Sequence, residues 1–394
     1  MIISDINSCK HSFVIPYHSN RELLFRSLKL LYKTLPPNIN KEVIVVANNY
    51  DICEIDIELP YDDCRVISVP EDLLYARAVN LGVDACEGDV VTLCDEDLFY
   101  IAHWYEPLFN KFNSSNDIGS VGCKLLNPND NTILDFGIDF ALYNNVHPTR
   151  GLPWNHPYSM FDREVQGLCS AILMTTPSIY KKVGGMDPSM SYLCCDTDFG
   201  IKINQLNLKN WAVSTSMVYH KGPSSNYNTK NTRYSYLASD ARAMFYAKDY
   251  NIIKKNLPIW LDCVAKMYMK DHKISNKYIL INLSSYSSDK WFIEVLKNTL
   301  NINYYSVYKY NPKTRNNKNL QLYDYISLDL IDSIAPIIYF VDEISSLRQN
   351  AIWKRLRNTA DDIVVDMNGS ILSFDELEPM FADAVLNPVY TNQP

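Results

Sequence analysis

The sequence predicts an α/β protein with a large N-terminal domain and a second, smaller C-terminal α/β domain. Short β-branched apolar runs alternate with helical patterns over the first 120 residues, and this alternation resumes beyond about residue 276. The chain has 394 residues, which is enough for two or three domains. A β-α-β-β-α-β order needs crossovers between parallel strands, so we expect a mainly parallel sheet with helices on both faces.

The elements of the first 100 residues follow from apolar runs and the turns that bound them. The predicted buried strands are Ser12–Pro16, Glu42–Ala47, Arg65–Val69 and Asp89–Cys94, and the predicted helices are Asn20–Leu35 and Leu73–Ala85. The fourth strand runs directly into the acidic triplet 95–97. In parallel sheets, ligands bind at the carboxyl ends of the strands, so this triplet is a candidate for a site.

The rest of the chain divides into an irregular segment, a segment with one turn, one helix and one strand, and a C-terminal segment in which helices and strands alternate. Residues 100–175 are irregular and rich in Asn, Pro, Trp and His, which indicates loops over a site. A glycine turn, a helix and a strand are then predicted at Lys181–Asp187, Ser191–Leu206 and Trp211–Tyr219. Further predicted helices are Tyr234–Tyr250, Leu257–Met269, Asp289–Leu300 and Ser345–Arg357, and further predicted strands are Tyr278–Leu283, Tyr304–Tyr308, Ile337–Val341 and Ile363–Val365. We therefore expect domains at 1–250 and 276–394, joined by a helical linker at 251–275.

Composition and charge exclude several classes of protein. An apolar fraction of 47% excludes disorder of the whole chain, and a net charge of −8 offers no basic surface for nucleic acid. No apolar stretch approaches the roughly 20 residues that span a bilayer, and no signal peptide is visible. The 10 cysteines include no CxxC pair and are typical of core residues in a reducing compartment. We expect a cytoplasmic protein, or one held peripherally at the inner face of a membrane; no oligomeric state is predicted.

Seven short motifs follow one another in the N-terminal domain. They are VIPYHSN (14–20), EVIVVANN (42–49), ARAVNLG (76–82), CDED (94–97), VGGMDP (183–188), CDTDFG (195–200) and VYHKG (218–222). In this order they resemble the inverting, non-processive family 2 glycosyltransferases, which have the GT-A fold. The resemblance covers about residues 10–240. It implies transfer of a sugar from a nucleotide-sugar, with a UDP-sugar favoured, to a glycan or lipid-linked glycan, as in surface polysaccharide synthesis.

The acidic triplet supports a metal site. Asp95 and Asp97 lie two residues apart after an apolar strand, and their hard oxygen ligands suit Mg²⁺ or Mn²⁺, which would bridge a nucleotide diphosphate. Such an ion would stabilise the charge on the departing nucleotide. The resemblance implies Asp97 as the direct ligand and His220 as a third one. The alternatives are two solvated carboxylates and a structural histidine.

Asp196 is the candidate general base, because a carboxylate in hydrogen-bond reach can take the proton of an attacking sugar hydroxyl. The resemblance places the base in a Glu-Asp pair, in which Cys195 replaces the glutamate here. The alternative is an N-cap, since acidic residues at a helix start complement the helix dipole without catalysis.

Donor residues follow mainly from the resemblance, and acceptor residues from the polar middle segment, the glycine turn and the start of the helix at 195. The donor set is Pro16, Tyr17, Asn20, Asn48, Arg77, Asn80, Asp95 and Glu96, and the acceptor set is Trp154, His156, Gly184, Gly185 and Asp198. The acid that ends the second strand in the family is Ala47 here. Trp104 and His147 stand in the same polar middle segment, where aromatic faces could stack on sugar rings; loop packing is the alternative.

Two other functions remain open from the sequence. One is a retaining transferase of the same fold, and the other is a non-catalytic glycan- or nucleotide-binding protein with a decayed site, for which Ala47 and Cys195 are the reasons. The sequence contains no QxxRW, GxGxR, GxxxxGK[ST] or N-terminal GxGxxG motif. Processive synthases, nucleotidyltransferases, P-loop proteins and dinucleotide-binding proteins are therefore not favoured.

Overall fold

The structure is a computed structural model that describes residues 6–18, 20–48, 61–141, 144–190, 193–222, 232–268, 279–284, 303–306, 336–347 and 362–386. The chain divides into two compact units. The first comprises Met1–Asp139 and His147–Tyr250, and the second comprises Phe140–Val146 and Asn251–Pro394. The short segment 140–146 belongs to the second unit, which the sequence did not predict.

The bounds of the elements are as follows. The strands are β1 (His11–Tyr17), β2 (Lys41–Asn48), β3 (Cys64–Val69), β4 (Val90–Cys94), β5 (Leu98–Tyr100), β6 (Ile118–Leu126), β7 (Ile133–Asp135), β8 (Asp139–Phe140), β9 (Asn145–Val146), β10 (Arg163–Val165), β11 (Ile172–Thr175), β12 (Lys209–His220), β13 (Ile279–Asn282), β14 (Asn303–Ser306), β15 (Ile337–Val341), β16 (Ile363–Asp366) and β17 (Ile371–Ser373). The α-helices are α1 (Arg21–Thr34), α2 (Leu74–Asp84), α3 (Tyr105–Phe112), α4 (Pro177–Lys182), α5 (Cys195–Gln205), α6 (Thr232–Tyr268) and α7 (Phe374–Leu386).

The large sheet of the first unit has the order β10-β12-β6-β11-β4-β1-β2-β3, with β5 paired to β12 and β7 paired to β6. The half β4-β1-β2-β3 is parallel, as predicted. Beyond β4 the sheet is mixed, because β11 runs antiparallel to both β4 and β6. The predicted α/β class is confirmed, and the expectation of a mainly parallel sheet holds for one half of it.

Helices α1 and α2 bury their apolar stripes next to the parallel half. Helix α1 begins after Asn20, whose side chain accepts a hydrogen bond from Leu23 N at 3.0 Å and so caps the helix. Helix α2 approaches β1 so closely that a Cβ on Gly82 would lie 2.3 Å from Val14 Cγ1. Any larger residue at position 82 would displace the Val14 side chain, so glycine permits this close packing of helix on strand.

The middle segment is more ordered than its irregular sequence suggests. It contains α3 and β6, and all nine residues of β6 are buried. This strand is hard to detect from the sequence because it contains two glycines, Gly119 and Gly122. In the structure these glycines pack closely against Ile203 and Leu168. Lys124 also interrupts the apolar run, although its buried Nζ donates a hydrogen bond to Trp154 O at 2.9 Å. The prediction of loops over 100–175 is therefore wrong for these elements.

Two predicted helices form one. Helix α6 is continuous from Thr232 to Tyr268, so the break expected between 250 and 257 is absent. None of the helices in the described ranges combines the length and apolar character that a membrane crossing requires.

The second unit contains a smaller sheet of order β14-β13-β15-β16-β17. Its first four strands are parallel and β17 is antiparallel to β16, so the second α/β domain of the predicted fold class is present. Its core includes Ile281, Tyr339, Val364 and Leu377. The predicted helix Asp289–Leu300 lies outside the described residues, and of Ser345–Arg357 only the part up to residue 347 is described.

Candidate active site

A cavity of about 270 Å³ lies at the carboxyl ends of the parallel strands in the first unit. This volume is close to the lower end of the range for small-molecule sites, about 300–1,000 Å³. Its lining comes from the ends of β1, β2 and β4, the start of α2, the segment before β11, the start of α5 and the end of β12: Pro16, Tyr17, His18, Leu23, Asn48, Asp72, Leu74, Tyr75, Asp95, Glu96, Asp97, Cys169, Ser170, Ala171, Leu193, Cys195, Asp196, His220 and Gly222.

The structure brings the three predicted metal ligands together. His220 Nε2 lies 3.1 Å from Asp97 Oδ1 and 3.5 Å from Asp95 Oδ2. One ligand atom from each residue lies within 4.8 Å of the other two. The strand pairing explains this, because β5 follows the acidic triplet and pairs His220 at the end of β12 with Leu98. The sheet therefore fixes residues that are over 120 positions apart in the sequence.

The electrostatics of this cluster reflect two carboxylates held near one imidazole. Burial raises the pKa of Asp95 to about 6; His220 opposes this shift and the charge of Asp97 adds to it. Burial lowers the pKa of His220, but its hydrogen bond to Asp97 and the charges of Asp97 and Asp95 raise it more, so the net direction is upward. The negative charges of Asp95 and Asp97 thus favour the binding of a cation between the two carboxylates.

The cluster fits a divalent ion. Carboxylate oxygens and an imidazole nitrogen are the donor set expected for Mn²⁺, and the carboxylates also suit Mg²⁺. Asp95 Oδ1 is buried and has no hydrogen-bond partner among the described residues. An unpaired buried carboxylate oxygen is costly, and coordination of a cation is one way to satisfy it.

Asp196 lies in the first turn of α5 and lines the same cavity. Its carboxylate accepts hydrogen bonds from Ser170 N at 3.3 Å and from Thr197 N at 2.8 Å. Burial raises its pKa, and these two hydrogen bonds oppose the shift. Asp196 is not the N-cap, because the cap position is Cys194 and no side chain caps the helix; its place in the first turn still complements the helix dipole, as the alternative stated. A carboxylate with a raised pKa in a cavity has the properties of a general base.

Asp198, predicted to contact the acceptor, is not among the residues that line the cavity. It is fully buried, where Lys202 Nζ lies 2.8 Å from Oδ2 and Lys248 Nζ lies 2.6 Å from Oδ1. Lys248 also binds Asp187 of the glycine turn at 2.9 Å, and Lys202 donates to Gly185 O at 3.0 Å. Asp198 is therefore the centre of an ion-pair network that ties the turn and α6 to the helix that carries Asp196.

We expect Lys248→Met to destabilise the first unit by about 1–3 kcal/mol, because it leaves Asp187 without its cation and Asp198 with only one. Urea unfolding measures this effect. Lys182→Met is the matched control, since Lys182 is exposed on α4 and should change stability by less than about 0.5 kcal/mol. Equal stability of the two variants would show that the network contributes little.

The predicted donor residues divide into two groups. Pro16, Tyr17, Asn48 and Glu96 line the cavity, together with Asp95. The other three have different surroundings: Asn20 caps α1, Arg77 is exposed on α2, and Asn80 holds the glycine turn. Asn80 Nδ2 donates to Met186 O at 2.9 Å, and its Oδ1 accepts from Met186 N at 3.0 Å. The side-chain amide of Asn80 thus hydrogen-bonds to the backbone of Met186 in the glycine turn.

The predicted acceptor residues do not line the cavity. Trp154 is 41% exposed, and His156 caps a short 3₁₀ helix by accepting from Tyr158 N. Gly184 and Gly185 both have positive φ, as the predicted turn requires.

The two other candidates of the middle segment, Trp104 and His147, each bond to another side chain of the protein. Trp104 is fully buried in the core, where its indole donates a hydrogen bond to Thr34 Oγ1, so loop packing is correct for it. His147 Nδ1 pairs with Asp135 Oδ1 at 2.6 Å.

Several residues of this site were missed in the sequence analysis. Asp72, Tyr75 and Ser170 line the cavity, and Lys248 stabilises it from α6. Asp72 follows β3 at the same sheet edge as the acidic triplet, so its position after a predicted parallel strand was the available signal. Ser170 and Lys248 carry no such signal, because only the tertiary fold brings them to α5.

The parallel half-sheet, the mixed half beyond β4 and the acidic strand end at the cavity agree with the GT-A fold that the sequence predicts. Residues 12–162 match the family model of glycosyl transferase family 2, which confirms the resemblance over this segment. The match does not extend over α5, β12 or the second unit.

One curated relative is the O-antigen biosynthesis protein RfbC of Myxococcus xanthus, which is 24% identical over 228 residues. The alignment covers 55% of this chain but only 18% of RfbC. The chain therefore spans less than a fifth of the length of this relative.

Three solved structures are similar in fold. They are GalNAc-T7 with UDP, GalNAc and Mn²⁺ (TM-score 0.46, 16% identity, 61% of this chain and 50% of that one), the mannosyltransferase PcManGT of Pyrobaculum calidifontis with GDP-Man and Mn²⁺ (0.41, 14%, 66% and 74%) and S. aureus TarS 1-349 (0.40, 13%, 66% and 80%). All three TM-scores are below 0.5, and the assignment of the fold rests on the sheet order and the family match.

Proposed function

We propose that the first unit is an inverting, metal-dependent glycosyltransferase. It takes a nucleotide-sugar donor and glycosylates a glycan or lipid-linked glycan in polysaccharide synthesis. The observation that carries this proposal is the pairing, in one cavity, of an Asp-Asp-His cluster with a separate carboxylate, Asp196. The family match over residues 12–162 and the similarity to an O-antigen biosynthesis protein support the substrate class.

The two halves of the cavity have different tasks in this proposal. Asp97, Asp95 and His220 would hold Mn²⁺ or Mg²⁺, which when bound neutralises the charge of the departing nucleoside diphosphate. Asp196 accepts the proton of the acceptor hydroxyl, and the hydroxyl oxygen then attacks the anomeric carbon as the bond to the nucleotide breaks. A single displacement of this kind inverts the anomeric configuration, and the backbone N–H of Ser170 and Thr197 orient the base.

The proposal is tested by thermal unfolding of the full chain with UDP, GDP, CDP or dTDP, each with and without Mn²⁺. A ligand at about 100 times its Kd stabilises a protein by about 2.7 kcal/mol, so we expect a metal-dependent rise in Tm for one nucleotide. Release of that nucleotide from its sugar derivative, with NMR of the product anomer, tests inversion. Absence of a shift with every nucleotide would contradict the proposed function.

A further inference from the structure

A short segment of the cavity wall, residues 169–171, contacts both halves of the site through its backbone. Ala171 O accepts a hydrogen bond from Asp95 N at 3.0 Å, beside the metal cluster. Ser170 N donates to Asp196 Oδ2 at 3.3 Å. The place of this segment therefore decides where the carboxylate of the candidate base lies relative to the metal ligands.

Tyr75 holds this segment from the first turn of α2. It lines the cavity, and its hydroxyl donates a hydrogen bond to Ser170 O at 3.3 Å. Burial raises the pKa of Tyr75 well above its ordinary value, and the charge of Asp95 adds to this shift. The phenol is therefore protonated at neutral pH and acts as a donor. Because Ser170 is buried, its carbonyl cannot readily exchange this bond for one to bulk water.

The backbone in front of Tyr75 is held in an unusual conformation. Leu74 has φ +57°, in a region that non-glycine residues rarely adopt. Two side chains stabilise it: Asn48 Oδ1 accepts from Leu73 N at 2.6 Å, and Asp72 Oδ1 accepts from Leu74 N at 3.1 Å. Strained backbone persists where the surrounding structure determines it, and it clusters at functional sites. Here it fixes the start of α2 and with it the place of Tyr75.

We propose that Tyr75 is a positioning residue for the base: its hydroxyl fixes Ser170, whose N–H holds the carboxylate of Asp196 in place for the acceptor hydroxyl. The proposal rests on the proposed function and adds to it a residue that acts on the reaction through Asp196. A displacement of about 1 Å at a reacting group can cost about 100-fold in rate. A hydrogen bond that fixes the support of the base therefore has a measurable effect on turnover.

A role in the metal cluster is the alternative for Tyr75, because the charge of Asp95 acts on its hydroxyl. The hydrogen bond to Ser170 O favours the role at the base. The two roles have different consequences. Loss of the bond to Ser170 lowers the rate of the chemical step, whereas loss of a contact with Asp95 would change the concentration of Mn²⁺ that the enzyme needs.

The experiment is a double-mutant cycle of the full chain with wild type, Tyr75→Phe, Asp196→Asn and the variant with both changes. The substrates are UDP-glucose, UDP-N-acetylglucosamine and GDP-mannose with Mn²⁺, and the rate is that of nucleoside diphosphate release with water as the acceptor. We expect Tyr75→Phe to lower kcat by about 3- to 10-fold, the effect of one lost hydrogen bond, with KM within about twofold. In the Asp196→Asn background the same change should lower kcat by less than about twofold, because the base is already absent.

Tyr32→Phe is the matched control, because it removes a tyrosine hydroxyl that bonds to Asp63 Oδ1 at 2.6 Å, and neither residue is among the described residues that line the cavity. It should keep kcat within about twofold of wild type. Equal losses from Tyr75→Phe in both backgrounds, or no loss in either, would overturn the role of Tyr75. A higher Mn²⁺ requirement with unchanged kcat would overturn it in favour of the metal cluster.

Thermal unfolding of Tyr75→Phe with nucleoside diphosphate and Mn²⁺ shows whether the variant is folded and binds the donor. We expect the wild-type rise in Tm. Loss of that rise would make Tyr75 a structural residue of the donor site and would overturn the proposal. If the wild type released nucleoside diphosphate from none of the three substrates, the result would instead contradict the proposed function.

Discussion

Replacing Asp196 with asparagine is expected to lower sugar transfer by about 10²- to 10⁴-fold, the usual contribution of a general base. The amide has nearly the same shape, but it has one oxygen, so it can accept from Ser170 N or from Thr197 N and not from both, and it cannot take a proton. Donor binding should be retained, because the metal cluster is formed by other residues. Steady-state transfer and nucleotide titration together separate these two effects.

The pH dependence of transfer provides a second measurement on the same variant. Burial raises the pKa of Asp196, and only the ionised carboxylate can accept a proton. Transfer by the wild type should therefore fall as the pH drops through this raised pKa, and the residual activity of Asp196→Asn should lack that decline. Asp62→Asn, at an exposed position, is the control and should transfer at the wild-type rate. Undiminished transfer by Asp196→Asn would exclude its role as the base.

Replacing Asp97 with asparagine is expected to abolish the metal-dependent stabilisation by nucleotide, a loss of about 2.7 kcal/mol at 100 times Kd. Asp97 is buried, and its Oδ1 lies 3.1 Å from His220 Nε2, so an amide there removes one charge of the ligand set. The measurement is the Tm of the variant with the preferred nucleotide, with Mn²⁺ or with EDTA.

Two comparisons make this result specific. Asp62→Asn has the same change of charge at an exposed site and should keep the full shift with Mn²⁺. His220→Asn should weaken the shift in the same direction as Asp97→Asn, because both side chains belong to one cluster. If Asp97→Asn kept the Mn²⁺-dependent rise in Tm, the metal would have to bind elsewhere.

The predictable part of the fold is the half in which local pattern and tertiary environment agree. Strands β1, β2 and β4 are continuous apolar runs because parallel strands are buried on both faces, and each is bounded by residues that end it. Strand β6 is equally buried, but its glycines and Lys124 pack only against partners distant in sequence. Helix α6 was predicted as two helices, Tyr234–Tyr250 and Leu257–Met269, whereas the structure has one continuous helix.

The residue types alone determined the α/β class, the parallel half-sheet, the acidic strand end and the family resemblance, because these depend on short-range patterns and their order. Only the tertiary structure decided which side chains share the cavity. Asp97 and His220 meet through the pairing of β5 with β12, and Asp198 is enclosed by Lys202 and Lys248 rather than open to a substrate. The physical reason is that the charge and burial of a carboxylate depend on neighbours that the fold brings from other elements.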